Sequence, residues 1–232
     1  MKLRKWEDLP AVMRCDEVKP YYDILSKKRV SLTLKRAFDF FVALLMLIIL
    51  FVPMIIIAIM IKLDSPGPVF YRQERITTYG RRFRIHKFRT MVNNADKIGT
   101  AVTVGADARI TKVGSKLRGL RLDEMPQLID VLLGDMSFVG TRPEATKYVK
   151  KYSREMLATL LMPAGITSEA SIRYKDEAEL LDAAEDVDKV YVEEVLPGKM
   201  KYNLKSIRSF NIFKDILTMF RTVFAVLGKE YK

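Results

Sequence analysis

From Phe40 to Ile61 the chain runs for 22 residues without a charge, and the apolar positions are not confined to one helical face. As one helix this run would be about 33 Å long, against a hydrocarbon thickness of roughly 30 Å. The pattern therefore predicts a membrane helix rather than a buried core helix. It starts too late, runs too long and lacks the small-residue site that a cleavable leader needs. Pro53, past the midpoint, removes a backbone hydrogen bond and predicts a kink. Residues 1–36 carry ten Lys/Arg against five acids. The far flank is basic too, with Lys62, Arg72, Arg75, Arg81, Arg82, Arg84, Lys87 and Arg89. Positive flanks prefer the cytoplasmic side, and a straight span would put one of them outside. A helix that breaks at Pro53 and returns to its own leaflet satisfies both.

Beyond the run, Asp64-Ser65-Pro66-Gly67-Pro68 ends any helix. Val69-Phe70-Tyr71 predicts a strand and Gly80 a turn. Phe83 to Arg89 alternates with period two, predicting a strand with Phe83, Ile85, Lys87 and Arg89 on one side. Residues 93–114 read as polar loop. Helices are expected over Leu122–Leu133, closed by Gly134, and over Glu144–Met162. Asp176 to Val195 carries seven carboxylates in its first thirteen residues and reads as a solvated helix face. At the C-terminal end Phe210, Phe213, Ile216, Leu217, Phe220, Phe224 and Leu227 recur at three- and four-residue steps, with Lys214, Arg221 and Lys229 between them. That is an amphipathic helix, either core or interfacial.

Composition narrows the chemistry. The 232 residues hold one cysteine, Cys15, and one histidine, His86. An internal disulfide, a Cys/His zinc site and an HExxH site are excluded, and a Ser-His-Asp relay would have to run through His86. The net charge is +12. No nucleic-acid-binding motif accompanies it and the positives flank the apolar run, so anionic lipids and phosphate-bearing substrates are the expected partners, not nucleic acid.

Two clusters in the middle of the chain carry candidate chemistry. In Arg118-Gly119-Leu120-Arg121-Leu122-Asp123-Glu124-Met125-Pro126-Gln127, the plain reading makes Asp123 a helix cap and Glu124 a first-turn acid. The chemical reading uses a helix N-terminus for phosphate, adjacent acids for Mg²⁺, and a carboxylate as nucleophile. The second cluster, Gly134 to Pro143, holds Arg142 between Thr141 and Pro143 on a constrained loop, suited to a bidentate grip on phosphate.

These pieces, in order, resemble the bacterial sugar transferases, monotopic polyprenol-phosphate phosphoglycosyl transferases. They are Lys35-Arg36-Ala37-Phe38-Asp39, the run with Pro53, Asp64 to Phe70, Lys87-Phe88-Arg89-Thr90-Met91, Arg109 to Gly114, Leu122 to Gln127, and Gly134 to Pro143. The resemblance implies transfer of a sugar-1-phosphate from a UDP-sugar to undecaprenyl phosphate, with Mg²⁺ and release of UMP. It implies that Asp123 is the nucleophile, that Glu124 assists phosphate or metal, and that both are metal ligands. Arg118, Arg142, Lys87 and Arg89 become phosphate-binding residues. Departures from the family pattern are Val52 before Pro53, Ala108 before Arg109, Thr141 before Arg142, and the run Ser168 to Tyr174; Tyr191 and Lys199 match further on.

The expected fold is α+β and mainly helical, a compact membrane-surface domain on the cytoplasmic face of a bacterial inner membrane. Its parts are a basic surface extension (1–34), a re-entrant helix broken at Pro53 (35–62), a cytosolic catalytic domain (63–205) and an amphipathic C-terminal helix (206–232). A second copy of the chain is carried as a partner. A non-catalytic membrane scaffold is the competing reading, one that leaves the paired acids and arginines without a purpose.

Overall fold

The computed structural model describes residues 1–95, 107–174, 176–177 and 186–226. The elements in chain order are α1 (Lys19–Ser26), α2 (Arg29–Asp64), β1 (Phe70–Ile76), β2 (Arg82–Phe88), α3 (Lys112–Gly119), a 3₁₀ turn (Leu122–Glu124), α4 (Gln127–Leu133), β3 (Met136–Val139), α5 (Thr146–Val149), a 3₁₀ segment (Glu155–Leu161), β4 (Ala164–Thr167), α6 (Glu169–Arg173), α7 (Val187–Val190), a π turn (Tyr191–Val195), α8 (Leu196–Arg208) and α9 (Ile212–Val226). This is an α+β fold, mainly helical.

Helix α2 organises the rest. Helical backbone continues through Pro53, on the exposed side, so the chain makes no loop there. Leu32, Lys35, Asp39, Ala43, Ile57 and Ile61 are buried, and Met46, Leu50 and Met54 are half-buried between them, giving one seam at steps of three and four. The polar members of the seam anchor the helix foot. Lys35 pairs with Asp215 of α9 at 2.7 Å, and Asp39 accepts from the Phe138 N–H of β3 at 3.3 Å. Arg36 donates to the Val131 and Leu132 carbonyls at the end of α4, where unsatisfied carbonyls favour a cation. At the other end Asp64 accepts from the Val113 N–H of α3 at 2.9 Å. The opposite face of α2, including Phe41, Leu45, Ile48, Val52, Ile56 and Ile59, is exposed.

The N-terminal residues are not a surface extension. Leu3, Leu9, Met13, Val18, Tyr21 and Leu25 are buried with Leu157, Leu161, Leu204 and Ile207, so the arm clasps α8 and the 3₁₀ segment. The β1–β2 hairpin is antiparallel and in register from Phe70↔Phe88 to Ile76↔Arg82, longer at β1 than the expected strand of Val69-Phe70-Tyr71. The expected helix over 122–133 divides into a 3₁₀ turn and α4, with Pro126 as the N-cap. Gly134 closes α4 at φ +88°, the left-handed conformation that glycine adopts without strain. The expected helix over 144–162 is instead α5, four residues long, and a 3₁₀ segment. Two short strands, β3 and β4, pair in parallel and went unread in the sequence. They need Gly140: a Cβ there would stand 2.5 Å from the Pro163 carbonyl oxygen. Residues 178–185 of the acidic segment, and Leu227 and Lys229, lie outside the described residues.

Candidate functional site

Arg121 adopts a left-handed backbone conformation, φ +56°, costly for a residue with a Cβ and concentrated at functional sites. It breaks the chain out of α3 into the 3₁₀ turn that carries Asp123 and Glu124. Thr111 caps α3 by accepting from the Gly114 N–H at 3.0 Å, and Arg118 in its last turn donates Nε–H to Thr90 Oγ1 at 2.9 Å. Lys87 comes from the end of β2 and Arg142 from the loop after β3.

The two carboxylates differ in their surroundings. Glu124 Oε1 accepts from Lys87 Nζ at 2.8 Å and from Arg142 at 2.5 Å. Burial alone would push this carboxyl up; Arg142 and Lys87 overcome it and hold the group well below the usual carboxylate range. Asp123 is half-buried, and among the described residues it has no hydrogen bond or ion pair. Burial pushes its carboxyl above the ordinary value, against the pull of Lys87, Arg118 and Arg142. Lys87 is pushed down by the same burial.

The turn stands between two cavities. One, of about 590 Å³, is polar and lined by Arg75, Lys87, Arg109, Arg118 and Asp123, with Phe70 and Tyr71 at its wall. The other, of about 480 Å³, is apolar and lies between α2 and α9, lined by Met46, Leu50, Phe138, Met219 and Val223, and ending at Glu124 and Arg142. It opens beside the exposed faces of α2 and of α9, where Phe213, Leu217 and Phe220 are uncovered.

Of the sequence-predicted residues, Asp123, Glu124, Lys87, Arg118 and Arg142 converge. The Arg89 guanidinium is turned to other work. It donates to the Ile61, Ser65 and Pro66 carbonyls and so caps the end of α2. A metal ligated by both dyad carboxylates would have to break the Lys87–Glu124–Arg142 cluster. Among the described residues no group of three His, Cys, Asp or Glu is gathered for a metal. His86 is structural, with its Nδ1 2.7 Å from Asp130 Oδ1. Sequence reasoning missed a buried group behind Arg142. Glu144 accepts from Tyr191 at 2.6 Å, and Lys199 Nζ lies 3.5 Å from the same oxygen. Tyr191 and Lys199 stood out only as motif matches; Glu144, next to Pro143, was the available signal.

A family model described as bacterial sugar transferase matches residues 30–229. Similar proteins include the UDP-N-acetylgalactosamine-undecaprenyl-phosphate N-acetylgalactosaminephosphotransferase of Aeromonas hydrophila, 34% identical over 198 residues that make up 84% of this chain and 44% of that protein. The UDP-glucose:undecaprenyl-phosphate glucose-1-phosphate transferase of Escherichia coli K12 is 37% identical, over 89% of this chain and 43% of its own length. The transferase of the same name from Caulobacter vibrioides is 35% identical, over 87% and 73%. This chain thus spans less than half the length of the first two. With the family model covering 30–229, the chain belongs to the bacterial sugar transferase family.

Proposed function

We propose that this protein transfers a sugar-1-phosphate from a UDP-sugar to undecaprenyl phosphate through a covalent intermediate on Asp123. The carrying observation is a carboxylate without a partner among the described residues, set in a cation-lined cavity beside an apolar groove. Asp123 attacks the phosphorus that bears the sugar. The bond to the bridging oxygen breaks, and UMP departs with that electron pair. A phosphate oxygen of undecaprenyl phosphate then attacks the same phosphorus, the acyl–phosphate bond breaks, and Asp123 is freed as carboxylate. Lys87 and Arg118 offset the charge of the donor diphosphate before a carboxylate can approach it. The isoprenoid lies in the α2–α9 groove, with its phosphate at the Arg142 end. Asp123, unpartnered among the described residues, would be the residue that holds Mg²⁺ arriving on the diphosphate; when bound, the ion would neutralise phosphate charge. Purified protein with Mg²⁺ should release UMP from one member of a panel of UDP-sugars, up to one equivalent alone and with continued turnover only when undecaprenyl phosphate is present. Silence across the panel from folded protein would overturn the reading.

We further propose that α2 enters and leaves one leaflet, on the cytoplasmic face of the inner membrane, with anionic lipids against its basic flanks. Ala43 packs on Leu128, Val131 and Phe138, while Ile57 and Ile61 pack on Phe88 and Leu117. Those contacts spread over about 27 Å of helix, nearly a full hydrocarbon thickness. A spanning α2 would drag the Lys87–Glu124 pair into the bilayer, at a prohibitive desolvation cost. Single cysteines placed at Lys2 and at Arg82 in a Cys15→Ser background should both resist a membrane-impermeant thiol reagent in intact cells. Labelling of one site alone would mean a span.

A further inference from the structure

Most cations of the polar cavity are already engaged. Lys87 is held by Glu124, Arg109 by Asp107, Arg89 by the carbonyls closing α2, and Arg72 by the Arg84 carbonyl. Arg75 differs. It lies on the face of the hairpin that carries Lys87, since Tyr71 pairs with Lys87 and Arg75 sits four residues further along β1. Its guanidinium is half-buried and donates to the Gln73 amide oxygen at 2.5 Å. Among the described residues no carboxylate lies within ion-pair distance of it. The carboxylate that attracts it, Glu144, is already bonded by Tyr191, with Lys199 alongside, and Arg142 repels it. A buried guanidinium without a counter-charge costs stability. Gln73, fixing one N–H, leaves the rest of the fork for an acceptor, and an anion with paired oxygens completes that geometry.

Resting on the UDP-sugar reading above, we propose that Arg75 is a donor-site residue that grips the diphosphate of the nucleotide sugar from the β1 side of the cavity, opposite the dyad turn. A purely structural arginine, serving Glu144 at a distance, would change stability and leave nucleotide affinity alone. The two roles separate in a calorimetric titration of UDP into detergent-purified full-length protein, alongside thermal midpoints without ligand. Arg75→Gln should weaken UDP binding by about ten- to a hundredfold, the range for one charge-assisted bidentate contact, with an unliganded midpoint at or above wild type. Arg75→Lys keeps the charge but not the fork, should recover part of the affinity, and serves the same comparison if the glutamine variant does not fold. UDP affinity equal to wild type in either variant, with wild type binding UDP, overturns the assignment alone. Absence of UDP binding by the wild type overturns the nucleotide-sugar reading and the assignment with it.

Discussion

Replacing Asp123 with Asn should lower transfer by at least about a thousandfold and at the same time raise the thermal midpoint of the protein at pH 7. Both effects come from one fact. The carboxylate is held in a half-buried cavity without a hydrogen-bond donor among the described residues, and burial raises its pKa above the ordinary carboxylate value. A carboxyl whose folded pKa is raised binds its proton more tightly in the folded state. Its ionised form therefore costs stability above that pKa, and the cost vanishes as pH falls below the unfolded value. Asparagine has the same shape and never ionises, so its gain in midpoint should be full near neutrality and shrink to nothing below about pH 4. It also cannot form the acyl–phosphate bond. Melting curves across pH beside UMP release test both halves. A variant transferring within tenfold of wild type would remove Asp123 as nucleophile. A variant less stable than wild type at pH 7 would mean that Lys87, Arg118 and Arg142 outweigh burial.

That placement was partly legible in the chain. The apolar run needed only length and charge to be read, because helix α2 leaves a whole face uncovered. Its buried seam was hidden, since Phe40 to Ile61 is apolar all round and two of the seam's anchors are Lys35 and Asp39. The N-terminal arm was misjudged for a related reason. Leu3, Leu9, Met13 and Val18 fall at irregular spacing with no helical or strand period, so only contact with Leu161 and Ile207 decides their burial. Strands β3 and β4, of four residues each, are too short for a period to register and are held by a neighbour distant in the chain. The dyad motif was visible, but the turn under it depends on Arg121 entering the left-handed region, which residue type does not foretell. Arg89 shows the limit of counting cations. Two residues from the motif lysine, it is nevertheless drawn to the carbonyls that end α2.

Glu124→Gln should act in the opposite direction to the substitution next door, costing about 2–4 kcal/mol of stability at pH 7. The glutamine removes the counter-charge shared by Lys87 and Arg142 and leaves both partly buried cations without it. Here the folded pKa is depressed: burial would raise it, but the two cations overcome that and hold it well below the ordinary value. The stabilisation is therefore present above the unfolded value near pH 4.5, and it is lost as pH falls through the folded one. Wild type and variant should converge in acid, whereas the Asp123→Asn gain is already gone there. Removing the whole charge cluster, as Glu124→Met with Lys87→Met and Arg142→Met, should restore part of the stability, because apolar replacement of buried ionic groups leaves no stranded charge. Equal midpoints for Glu124→Gln and wild type at pH 7 would show that the cluster adds no net stability. The predicted contrast separates adjacent acids by task. Glu124 keeps two cations in place, and the charge that Asp123 holds against its surroundings is released when it reacts.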